Sequence, residues 1–70
     1  MIVVTINFTV DQFDWCIDQF GEKFWHFQTY SNSLLYGNNS YYSNWLWMYD
    51  ECHMYFRYSE DAALFKLRWL

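Results

Sequence analysis

The sequence predicts an α+β domain: a small two-layer sandwich with a largely antiparallel sheet of about three strands and two helices on one face, in the order β-α-β-loop-β-α. Three observations predict it. Residues 2–10 alternate in the manner of a half-buried strand, and residues 12–20 carry apolar side chains at the three-and-four spacing of a helix. Residues 55–70 (YFRYSEDAALFKLRWL) read as an aromatic strand, a Ser-Glu-Asp helix start and a short amphipathic helix. At 70 residues the chain is one domain with room for a single core.

In the first strand, Ile2, Val4, Ile6, Phe8 and Val10 share one face and Val3, Thr5, Asn7 and Thr9 the other. Asp11 can then serve as N-cap of a helix over Gln12–Phe20, with Phe13, Cys16, Ile17 and Phe20 as its apolar stripe. Gly21 stands where a left-handed cap would end that helix, since an interior glycine costs about 1 kcal/mol relative to alanine. Glu22–Tyr30 (EKFWHFQTY) is ring-rich and reads as a second strand. Ser31–Asn44, with Ser-Asn-Ser, Gly-Asn-Asn-Ser and Ser-Asn, reads as an irregular loop with room for one helical turn. Trp45–Asp50 fits either a strand or a helical turn, and Cys52–Tyr58 fits a strand. Ser59 or Glu60 opens the last helix, which leaves Lys66 and Arg68 at the end where positive charge suits the dipole.

Composition narrows the function. Five Trp, seven Tyr and seven Phe make up 27% of the chain, more ring surface than two thin layers can hide, so an exposed aromatic patch is expected. The mean hydropathy of −0.24 beside 54% hydrophobic residues reflects that Trp and Tyr content. The net charge of −4, with only Lys23, Arg57, Lys66 and Arg68 as strong bases, disfavours general nucleic-acid binding, which gains affinity by neutralising phosphates. No apolar run reaches membrane-spanning length. Met1-Ile2-Val3-Val4 lacks the basic start of a signal peptide, and Cys16 and Cys52 read as two buried thiols of a cytosolic protein.

The helix bearing Phe13-Asp14-Trp15-Cys16 and the ending Phe56-Arg57-Tyr58-Ser59-Glu60-Asp61-Ala62-Ala63-Leu64-Phe65-Lys66-Leu67-Arg68-Trp69 resemble small accessory proteins encoded by tailed bacteriophages. Those chains often end in a strand followed by an acidic-Ala-x-x-Phe-x-Leu-x-Trp helix. The resemblance covers about half the chain and rests mostly on the terminal block. It implies a phage origin, a place in the host cytoplasm, and action by binding a host protein or nucleoprotein complex, including nucleases and other defence machinery.

Asp11, Asp14 and Asp18 fall three and four residues apart, so a helix sets them on one exposed side, and Glu22 can extend the row. Such a row can present negative charge to a basic groove that normally holds nucleic acid. The plainer alternative is a solvated helix face. Tyr36, Tyr41, Tyr42, Trp45 and Trp47 cluster in and after the polar loop and form a candidate contact surface, or else fold back as a lid on the sheet. Cys16, His26, Cys52 and His53 lack the paired spacings of a structural zinc site, and no metal, cofactor or catalytic group is expected. The function expected is therefore an inhibitor of a nucleic-acid-processing host complex, of anti-CRISPR or anti-restriction type. The alternatives are a base-stacking single-strand nucleic-acid binder, using rings such as Trp25, Phe27 and Tyr55, and a self-assembling phage component.

Overall fold

The computed structural model describes residues 1–35 and 44–70. In chain order the elements are β1 (Ile2–Thr5), α1 (Val10–Phe20), β2 (Phe24–His26), α2 (Phe27–Leu35), β3 (Trp47–Tyr49), β4 (His53–Phe56) and α3 (Ser59–Trp69). The α+β class holds. The finer architecture differs: among the described residues the sheet has four strands in the order β1-β4-β3-β2, and three helices cover two faces rather than two helices one.

β1 pairs antiparallel with β4, β4 antiparallel with β3, and β3 parallel with β2. A parallel neighbour needs a crossover rather than a hairpin, and α2 lies in that crossover. Register then sorts the side chains. Ile2, Val4, Met54, Phe56, Trp47 and Phe24 face one way and meet Cys16 of α1 and Ala62 and Phe65 of α3. Val3, Tyr55, Met48 and Trp25 face the other way, where Tyr55, Met48 and Trp25 pack with Trp45 and with Phe27 and Tyr30 of α2. The sheet is thus the middle of three layers.

The first strand is shorter than its alternation predicts, because the ladder stops at Thr5. Its pattern still sets direction: Ile6 and Phe8 stay packed on the core, and their N–H groups donate to Cys52 O (2.9 Å) and Glu51 O (3.3 Å). Val10 is 75% exposed as the first helical residue, not an inward strand residue. The N-cap of α1 is Thr9 rather than Asp11. Thr9 Oγ1 accepts from Gln12 N–H (3.3 Å) and Gln12 Oε1 accepts from Thr9 N–H (3.0 Å), a reciprocal pair that satisfies two donors at the helix start.

α1 stops where glycine predicts. Gly21 has φ 83° and ψ −168°, a region essentially closed to residues with a Cβ, and its N–H still donates to Ile17 O (2.9 Å). Its carbonyl accepts from the Trp47 indole N–H (3.2 Å), which ties the turn to the core.

The predicted strand Glu22–Tyr30 is three residues of strand followed by a helix, and Ser31–Leu35, expected as irregular, continues that helix. Packing explains the change. Phe27 and Tyr30, three apart, share a helix face, so Phe27 stacks on Tyr55 (4.2 Å between centroids) and Tyr30 meets the edge of Trp45 (6.0 Å). The ambiguous Trp45–Asp50 contains strand β3, and the expected strand Cys52–Tyr58 narrows to β4. Residues 36–43, the rest of the expected loop, lie outside the described residues.

Candidate functional site

α1 positions the acidic residues. At 100° per residue, Asp11, Asp14 and Asp18 fall within about 60° of one another, opposite Phe13, Cys16 and Phe20. Anchoring of the apolar stripe in the core leaves all three carboxylates exposed, and Glu22, just past the glycine, is exposed too. The row from Asp11 to Asp18 is about 10 Å long. None of the four carboxylates forms an ion pair among the described residues.

Helix energetics account for one member of this row only. Asp11 sits in the first turn, where the dipole favours negative charge. Asp18 sits in the last turn, which has no basic residue, and Asp14–Asp18 is a like-charge pair four apart. Both features cost the helix stability.

Of the aromatic half of the predicted contact surface, the two members among the described residues, Trp45 and Trp47, are buried. Trp47 is 0% exposed at the centre of the main core, stacked on Phe24 (4.5 Å), and Trp45 is 6% exposed. Arg57 holds Trp45 from outside: its guanidinium donates to Trp45 O (3.1 Å) and lies 5.4 Å from the ring centroid. Neither ring can meet a partner without opening the fold. Tyr36, Tyr41 and Tyr42 lie outside the described residues.

A second polar cluster, at the β3–β4 turn, was not singled out from the sequence. Asp50 accepts from Cys52 N–H (2.9 Å), from the Tyr55 hydroxyl (2.5 Å) and from His53 Nδ1 (3.1 Å). An ionised carboxylate only accepts, so His53 carries its proton on Nδ1. Burial pushes the Asp50 carboxyl up, but the hydrogen bonds from Tyr55, Cys52 and His53 outweigh it and hold it below the ordinary value of 3.8. Tyr55 is pushed up to about 12 by burial first, then by its bond and charge contact with Asp50. Asp50, Glu51, Cys52 and His53 line an open cleft of about 410 Å³ with His26, Phe27 and Gln28.

The spacing Asp50-x-x-His53-x-Tyr55 was the available signal. Aspartate marks a turn by bonding the N–H two residues on, and alternate residues 53 and 55 share a strand face. A carboxylate orienting an imidazole can support general-base chemistry, but each contact here also closes the turn. Among the described residues no group of three or more His, Cys, Asp or Glu side chains is placed to hold a metal ion. Cys16 and Cys52 are not a matched pair: Cys16 is buried in α1, whereas Cys52 is exposed at the turn rather than buried as expected. Burial pushes the Cys16 thiol up to about 12, away from any nucleophilic role. No family model, curated protein or solved structure matches this chain. Among the described residues no helix is long and apolar enough to cross a membrane.

Proposed function

We propose that this protein binds a basic, nucleic-acid-holding groove of another protein and blocks it, with the carboxylate row of α1 standing in for phosphates. The observation that carries the proposal is that Asp14 and Asp18 stay exposed and unpaired among the described residues at positions where they weaken their own helix. Three charges over about 10 Å give roughly one charge per 5 Å, the same order as a DNA strand at one per 3.4 Å. The row is also close to the physiological Debye length of about 8 Å, so its charges act together on a cationic surface at contact range.

A phage-encoded inhibitor of a host nuclease or defence complex is the setting that the terminal strand and helix suggest. That α2 packs on the sheet face bearing Tyr55, with Phe27 stacked on that ring, supports groove binding over base stacking by Trp25, Phe27 and Tyr55. Capture by the tagged protein from bacterial lysate, with and without nuclease, tests the proposal. It expects a discrete protein partner that survives nuclease treatment and dissociates as salt rises. Recovery of nucleic acid, or of a partner indifferent to salt, contradicts it.

A further inference from the structure

We propose that the outward face of α3 docks a second copy of this chain, the two helices running antiparallel about a two-fold axis. α3 buries Ala62 and Phe65 against the sheet, yet its opposite side is apolar as well. Leu64, Leu67 and Leu70 are 42%, 85% and 72% exposed, and Ala63 is exposed among them. A surface helix ordinarily turns charge to water on that side. Here the spacing of three instead strings the leucines into one row.

Charge selects the occupant. Glu60 and Asp61 stand in the first turn of α3, and Lys66 and Arg68 in the last. An antiparallel copy sets the acidic end of each helix against the basic end of the other, twice per dimer, with Leu64 against the partner's Leu67 at the centre. A parallel copy sets like against like. α3 is also where a copy can come close: the chain carries −4 with four Lys and Arg in all, and α3 holds two of them against two acids. The remaining surface is net acidic and repels a second copy.

An interface centred on one helix about 16 Å long belongs to the weak class, below ~1,200 Å² in total, so it is read at high protein concentration. Sedimentation velocity of the full chain across a concentration series is the test. The wild-type protein is expected to pass from monomer to dimer. Leu67→Glu, at a solvent-facing position and with the fold checked by circular dichroism, should weaken association ~30-fold or more. The Glu60→Lys/Asp61→Lys and Lys66→Glu/Arg68→Glu variants should each stay monomeric alone and form a heterodimer when mixed. A monomer at every concentration, association unchanged by Leu67→Glu, or a mixture that fails to pair overturns the proposal.

Discussion

Asp50 shows how one side chain at a turn links folding to pH. Its pKa in the folded chain lies below the unfolded value of 3.8, so the stability it adds is complete above that value. That stability is lost as pH falls through the folded pKa. Tyr55→Phe removes the hydroxyl that donates to it, so the variant should lose about 1.5–3 kcal/mol near neutrality, typical of a hydrogen bond to a charged group. Denaturant titrations should then show a smaller further loss for the variant than for the wild type between about pH 4 and pH 2. Gly21→Ala is a separate test of backbone strain. A methyl group there meets nothing within 4 Å, so the expected loss of about 1–3 kcal/mol comes from the dihedral angles alone. The thiols give a third readout: Cys52 should react with a thiol reagent in the native protein and Cys16 only after unfolding. Equal native reactivity would place Cys16 outside the core.

At the scale of the element, what was legible depended on how local the determining signal was. Alternation placed Ile2, Val4, Ile6 and Phe8 on the core side, Gly21 ended α1, and Ser-Glu-Asp opened α3 at Ser59, as the structure has them. The N-cap was misplaced although Thr9 and Gln12 carry the capping-box spacing, because Asp11 is as good a cap by residue type. α2 was missed for a tertiary reason. Phe27, Thr29 and Tyr30 favour strands by propensity, and the helix gains its advantage from packing Phe27 and Tyr30 on Tyr55 and Trp45. The acidic side of α1 was legible because its register follows from the stripe on the other side. The Asp50 cluster was not, since it needs the hairpin to bring Tyr55 back over the turn. The carboxylates of α1 yield a test in which folding and binding move in opposite directions. Asp14→Asn/Asp18→Asn should raise stability by a few tenths of a kcal/mol, by easing like-charge repulsion and the unfavourable dipole contact. The same change should weaken the partner complex. A variant that loses both would make the row a structural feature.

Across the whole molecule, the abundance of rings is resolved by a sheet covered on both sides. Among the described residues, two helix-covered faces take up Trp45, Trp47, Phe56 and Phe65, rings that a sheet covered on one side would leave half exposed. What α1 turns to solvent is acid, and what α3 turns to solvent is leucine between charged ends. The two faces make different demands of a partner, one electrostatic and salt-sensitive, the other apolar. Phosphate mimicry by α1 is decided by affinity for whichever protein the tagged chain captures, measured across a salt series for the wild type and for Asp11→Asn/Asp14→Asn/Asp18→Asn. Phosphate mimicry predicts that the triple variant binds about 10- to 100-fold more weakly at low salt, with a flatter salt dependence and the fold intact. Equal affinity and equal salt slope for the two proteins would contradict it.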